Sequence, residues 1–121
     1  MASFTFPPAL LDAQTRLHQA WADLEELGKT LPWSAEPAEG YTARHRTPDP
    51  DTGELRYKEF PESPGYTEEQ AAERERLYAL IGELSEEVRG HAYWESLAGS
   101  GDLVAARSAL KAAARDKAQA A

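Results

Sequence analysis

The chain has 121 residues, a length typical of one domain, and 21 acidic against 13 basic side chains give it a formal net charge of −8. Hydrophobic residues make up 41% of the chain, too many for a fully disordered protein, and no apolar stretch is long enough to cross a membrane. The absence of cysteine excludes disulfides, thiolate metal sites and a cysteine nucleophile.

A first helix is predicted at about residues 8–28. Apolar residues recur there at intervals of three and four, which puts them on one helical face; they are Leu10, Ala13, Leu17, Ala20, Leu24, Leu27 and Leu31. Pro8 is tolerated in a first turn because its missing N–H is not needed there. Gly28 is a natural end for the helix, and Pro32 prevents it from continuing much further.

A connector at residues 32–66 holds six of the eight prolines and is long for a helical protein. Residues 41–46 and 55–60 have the alternation of strands, with a turn at residues 48–53 between them, and Tyr41, Ala43 and His45 would then share one face. An isolated two-stranded hairpin is marginal in water. The sequence therefore leaves open whether the connector forms a β-hairpin or an extended loop.

A second helix is predicted at about residues 68–89. Thr67 and Gln70 have the spacing of a capping box, in which each side chain accepts a hydrogen bond from the other residue's backbone N–H. Apolar residues then recur at helical spacing; they are Leu77, Ile81, Leu84 and Val88.

The last third of the chain predicts an aromatic turn at residues 91–98 and a third helix at about residues 103–117. The helix follows the breaker at residues 99–101, and Asp102 is its expected N-cap. We therefore expect a mainly all-α protein, a single helical domain over residues 1–121. Its first two helices form an antiparallel hairpin that the short third helix closes. The narrow apolar stripe of the first helix also favours a homodimer.

Six aromatic residues at helix ends or in the connector are the expected partner-binding residues, because aromatic side chains dominate binding hot spots; they are Trp33, Tyr41, Tyr57, Phe60, Tyr93 and Trp94. The alternative is that the connector folds back and buries them. The leading hypothesis is a non-catalytic, acidic, helical protein-interaction module, bacterial in its residue usage, without a cofactor. The N-terminus lacks the features of a signal peptide, so we expect a cytoplasmic protein.

The main alternative is a small DNA-associated regulator. Arg107, Lys111 and Arg115 form one basic stripe on the third helix, which would be the recognition helix of a helix-turn-helix. Basic and aromatic residues also alternate in the connector, a pattern that suits single-stranded nucleic acid; the basic ones are Arg44, Arg46, Arg56 and Lys58. Nearby acidic residues cancel their charge, and the overall acidity disfavours binding to phosphate.

A third hypothesis is a metal-assisted enzyme. Glu87, His91 and Glu95 have the spacing i, i+4, i+8 and would stack into a ligand set for a divalent metal if the helix passed Gly90. The alternative is a histidine beside solvated glutamates. No phosphate-binding glycine loop and no nucleophile motif is present in the sequence.

Overall fold

The structure is a computed structural model that describes residues 3–120 of the chain and the side chains as far as residue 118. The helices and strands follow in the order α1 (Pro8–Gly28), β1 (Tyr41–Pro48), β2 (Leu55–Phe60), α2 (Glu68–Arg89), a 3₁₀-helix (Ala92–Leu97) and α3 (Leu103–Ala120). The chain divides into two compact units. One consists of the described residues of Met1–Glu26 and Arg74–Ala121, and the other of Leu27–Glu73.

The first unit has an aliphatic core built from α1, α2 and α3. Leu17 and Ala20 of α1 pack with Ile81 and Leu84 of α2 in one buried cluster. All three helices supply further buried residues; they are Leu10, Ala13, Leu77, Ala106, Leu110 and Ala114. The small alanines of α3 let the helix pack closely but add little apolar area, so most of the hydrophobic stabilisation comes from the leucines and Ile81.

The ends of α1 and α2 follow local signals. The Pro7 carbonyl accepts hydrogen bonds from the N–H groups of Leu10 and Leu11, which begins α1 at the predicted proline. The capping box of α2 is confirmed, since the Gln70 N–H donates to Thr67 Oγ1 at 3.1 Å and the Thr67 N–H donates to Gln70 Oε1 at 2.9 Å.

The aromatic turn between α2 and α3 is a 3₁₀-helix capped by His91. The His91 backbone is extended, with ψ 138°, and its Nδ1 accepts a hydrogen bond from the Tyr93 N–H at 3.0 Å. α2 therefore ends at Arg89, and Glu87, His91 and Glu95 do not lie on one continuous helix. The third hypothesis required that continuity.

The second unit contains an antiparallel hairpin of β1 and β2. Tyr41 pairs with Phe60, and Pro48 pairs with Leu55 at the turn end. A bulge lies between Thr42 and Arg46, where residues 43–45 of β1 stand opposite the single residue 58 of β2. The bulge interrupts the simple alternation expected for β1, so the predicted common face of Tyr41, Ala43 and His45 is not a regular sheet face.

The expected all-α fold class is wrong: the protein is a small mixed α/β protein with three α-helices and a two-stranded antiparallel sheet among its described residues. The sequence predicted the three helices but left open whether the connector forms a hairpin or an extended loop. In the structure, side-chain and backbone contacts inside the second unit support the hairpin, and they link segments that are far apart in the sequence.

Candidate functional site

Three aromatic rings meet at the base of the hairpin, and we refer to Trp33, Tyr41 and Phe60 as the aromatic cluster. Tyr41 and Phe60 stack across the two strands with ring centroids 4.7 Å apart. The Trp33 ring contacts both of them edge-on, at 5.5 Å and 5.4 Å. Its indole Nε1–H donates to the Pro61 carbonyl at 2.6 Å, which fixes the ring against the end of β2.

The aromatic cluster is partly exposed to solvent. Trp33 retains 39% and Tyr41 retains 53% of their accessible surface, and Phe60 is half-buried. The rings hold one another in place, so little side-chain entropy remains to be lost when a partner covers them. The cluster therefore has two properties of a binding hot spot, exposed aromatic area and an ordered geometry.

The backbone just outside the hairpin holds the aromatic cluster in position. Ala38 and Ser63 exchange two backbone hydrogen bonds, of 3.0 Å and 2.8 Å, and Ser63 is buried. The Tyr66 N–H donates to the Ala35 carbonyl at 2.8 Å. Gly65 has φ +79°, and a Cβ there would lie 2.8 Å from the Pro37 nitrogen, so only glycine fits this crossing.

The turn at the far end of the hairpin is organised by Asp49. Its Oδ1 accepts hydrogen bonds from the N–H groups of Asp51 and Thr52, and its Oδ2 lies 2.7 Å from Arg56 Nη1. The N–H donor of Asp51 is the main cause that lowers the pKa of the Asp49 carboxyl, followed by Thr52, while Arg56 contributes less.

Tyr57 does not belong to the aromatic cluster. It pairs with Arg46 on the sheet face opposite Phe60, because side chains alternate along β2. It is exposed, with 53% of its surface accessible. Lys58, which the sequence suggested only as a nucleic-acid contact, belongs to the site: its Nζ lies 5.1 Å from the centre of the Phe60 ring, a cation–π contact. The i, i+2 spacing of Lys58 and Phe60 in a strand was the available signal.

Tyr93 and Trp94 lie in the first unit. The Tyr93 ring contacts Phe6 at 5.4 Å and Trp94 at 5.3 Å, and the Trp94 Nε1–H donates to the Val88 carbonyl at 2.5 Å. Both rings are half-buried. The structure thus groups Trp33, Tyr41 and Phe60 and keeps the other predicted contact residues elsewhere.

Two residues of the basic stripe of α3, Arg107 and Arg115, lie close to aromatic residues of the first unit. The Arg107 guanidinium is 6.0 Å from the Trp94 ring centre. Arg115 lines a groove of about 690 Å³ together with the half-exposed Trp21 of α1. Burial, and then the charges of Arg115 and Lys111, lower the pKa of His18. These three basic residues are all exposed.

The connection from α2 to α3 differs from that of a helix-turn-helix. Residues 90–102 separate the two helices and include the 3₁₀-helix, whereas a helix-turn-helix uses a turn of about three or four residues. The predicted motif geometry is therefore absent between these helices. For the metal hypothesis, no group of three or more potential ligands from His, Cys, Asp and Glu comes together among the described residues.

The comparisons with known proteins give one match. Residues 9–113 match the model of a family described as a domain of unknown function, DUF8825. The chain belongs to this family. No curated protein and no solved structure matches the chain. Among the described residues, no helix has the length and apolar character needed to span a membrane.

Proposed function

We propose that this protein is a non-catalytic interaction module that binds a protein partner through the aromatic cluster of its hairpin. The observation that carries the proposal is that Trp33, Tyr41 and Phe60 contact one another while Trp33 and Tyr41 remain exposed. Burying such rings against a partner contributes apolar area at about 25 cal/mol per Å², with little ordering cost.

The charge of the protein supports a protein partner over a phosphate-rich one. The chain carries a net charge of −8, and Asp49, Asp51 and Glu54 lie at the hairpin turn. These carboxylates would repel a nucleic-acid backbone that approached along the strands. The proposal keeps the expected cytoplasmic location. Homodimerisation stays a prediction, to be checked by light scattering of the purified chain.

Site-specific photo-crosslinking in cells of the source organism tests the proposal. A photoreactive phenylalanine analogue replaces Tyr41 in one variant and Val104, which is 78% exposed on α3, in the control. We expect a discrete crosslinked protein at position 41 and none, or a different one, at position 104. Crosslinks to nucleic acid at position 41 would contradict the proposal, as would the same pattern at both positions or no crosslink at position 41.

The DNA-regulator hypothesis predicts a different outcome. A labelled duplex would be shifted at low salt by the wild-type protein, and the shift would be lost when Arg107, Lys111 and Arg115 are replaced by glutamine. We expect no shift at low salt with either protein.

A further inference from the structure

The outer edge of β2 is an unpaired strand edge. The sheet has two strands in the described part of the chain, so the edge of β2 that faces away from β1 has no strand neighbour. In such an edge, alternate backbone N–H and C=O groups point outward and are available to an added strand. Five of the six residues of β2 are exposed, and Phe60 is half-buried.

The outer edge of β1 is less suited to accept a strand. Its regular hydrogen-bonding pattern is interrupted by the bulge between Thr42 and Arg46, and it ends in Pro48, which has no N–H to donate. Bulges, prolines and charged residues are features by which natural sheets block an edge. β2 carries three charged residues, Arg56, Lys58 and Glu59, but neither a bulge nor a proline, so its backbone is the more regular edge of this hairpin and suits an added strand whose side chains offset those charges.

The side chains of β2 indicate what would pair with it. Arg56, Lys58 and Phe60 lie on one face, and Leu55, Tyr57 and Glu59 lie on the other. Residues 56–59 also line a concavity of about 580 Å³ together with residues 47–50. This concavity is lined by both strands and the turn, so it lies near the turn end of the hairpin.

A second copy of this chain does not complement the edge. A symmetric antiparallel pair of β2 strands is centred on one residue, which then faces itself. Centring on Arg56, Lys58 or Glu59 places that residue opposite its own copy, and centring on Tyr57 places Arg56 opposite Lys58 of the second copy. Centring on an end residue, Leu55 or Phe60, leaves the other five residues of the strand outside the pair. Like charges directly opposite each other destabilise a sheet.

We propose that the outer edge of β2 binds an extended segment of a partner protein as an added strand, and that acidic residues alternate with apolar residues in this segment. The acidic residues face Arg56 and Lys58, and the apolar residues face Leu55 and Tyr57. Backbone hydrogen bonds supply affinity, and the alternating side chains supply selectivity. The inference rests on the proposed function, since it names the chemistry of the partner that the same hairpin binds.

The position of Phe60 connects this edge to the aromatic cluster. Phe60 is the last residue of β2 and stacks on Tyr41, and Lys58 Nζ lies 5.1 Å from the centre of the Phe60 ring. A segment added along β2 therefore ends beside Phe60, where an apolar residue at its end would contact the Phe60 ring of the cluster. One continuous surface would then combine backbone pairing, charge complementarity and aromatic burial.

The test uses the full chain and synthetic heptapeptides that alternate valine and glutamate. Binding is followed by NMR as shifts of backbone amide signals, and affinity is measured by calorimetry. We expect the largest shifts at residues 55–60. A peptide with lysine in place of glutamate is expected to bind at least tenfold more weakly, and methylation of alternate peptide nitrogens is expected to abolish binding because it removes the hydrogen bonds of an added strand.

Two variants make the test specific for β2. Lys58→Glu is expected to reverse the preference, so that the lysine peptide binds better than the glutamate peptide. Arg44→Glu makes the same charge change on β1 and is expected to keep the wild-type preference. The dispersion of the amide signals in each variant shows that the hairpin is still folded.

The inference would be overturned if millimolar peptide caused no amide shift at residues 55–60, if the methylated peptide bound as well as the unmethylated one, or if both variants had the same peptide preference. Tighter binding of an oligothymidylate than of the glutamate peptide would also overturn it, as would a dimer of this chain paired through β2. If these occur while the crosslink at position 41 persists, the protein still has a protein partner but does not bind it along β2. If the crosslink is absent, the proposed function itself fails.

Discussion

The indole of Trp33 and the backbone carbonyl of Pro61 are joined by a 2.6 Å hydrogen bond, although the two residues are 28 positions apart in the chain. The bond links the segment after α1 to the residue that follows β2. Since the Trp33 ring also contacts Tyr41 and Phe60, one side chain holds both ends of the hairpin. Trp33 therefore has a structural role in addition to its exposed surface.

Replacing Trp33 by phenylalanine should weaken the hairpin measurably. The variant keeps an aromatic ring but removes the indole donor, and the loss of one such hydrogen bond costs about 1 kcal/mol. We expect hydrogen exchange of the β1 and β2 amides to become about fivefold faster. Trp21→Phe, on the half-exposed Trp21 of α1, is the matched control and should leave these rates unchanged. Unchanged exchange in Trp33→Phe would show that ring contacts alone hold the hairpin.

Gly65→Ala should disrupt the base of the hairpin. The new Cβ would lie 2.8 Å from the Pro37 nitrogen and 2.9 Å from the Ala35 carbonyl oxygen, and both are backbone atoms that have little room to move. We expect the amide signals of β1 and β2 to lose their dispersion in the NMR spectrum, while the signals of the helices are retained.

Gly53→Ala is the control for the clash at Gly65. Gly53 has a similar φ of +76°, but nothing lies within 4 Å of its added Cβ. Only the backbone strain of about 1–2 kcal/mol is then expected, and the strand signals should persist. Equal damage from both substitutions would mean that strain, and not the clash at Pro37, decides the outcome.

His18 should make the first unit less stable in mild acid. Burial, Arg115 and Lys111 lower its pKa below the ordinary value of 6.5, so the unfolded chain binds a proton more readily than the folded chain. The free energy of unfolding therefore falls as the pH drops below about 6.5, until the folded pKa is passed. Denaturant titrations of the wild type and His18→Gln should show a flatter pH dependence in the variant.

The substitution Arg115→Gln distinguishes the two kinds of cause that lower the pKa of His18, which are burial and nearby positive charge. NMR titration of the His18 imidazole should show a pKa that is higher than in the wild type but still below 6.5, because burial is the largest cause and remains in place. A wild-type pKa at or above 6.5 would contradict this account, as would an Arg115→Gln variant with an unchanged value.

Gly82→Ala should stabilise the protein. Gly82 lies in the interior of α2, is exposed, and has nothing within 4 Å of an added Cβ. Alanine is favoured over glycine by about 0.8–1.0 kcal/mol in a helix interior. The midpoint of urea unfolding should rise with an unchanged slope. A lower midpoint would show that position 82 requires glycine for a reason other than helix propensity.

The helices were readable from the sequence because their signals are local. Pro8, Gly28 and the capping box of Thr67 and Gln70 lie within a turn of the ends they determine. The hairpin was left open and the fold class was wrong because the contacts that support β1 and β2 are distant in the sequence, such as Trp33 with Pro61 and Ala38 with Ser63. The spacing of apolar residues along the sequence does not reveal contacts between residues so far apart.

The candidate site was predictable in composition but not in arrangement. Aromatic residues in the connector indicated a contact surface, and three of them do meet. The bulge in β1 and the alternation of β2, however, put Tyr57 opposite Arg46 on the other face of the sheet. Trp94 was expected at a surface, yet its indole donates to the Val88 carbonyl within the first unit. A single donor–acceptor pair decided its environment, and composition could not reveal it.

The helical unit is assembled from two separate pieces of chain, whereas the hairpin unit is one uninterrupted stretch, Leu27–Glu73. This stretch contains the contacts that support the hairpin, and the buried leucines of the helical core lie outside it. Transplanting it from one member of the family to another should therefore transfer binding preference while the recipient keeps its own thermal stability.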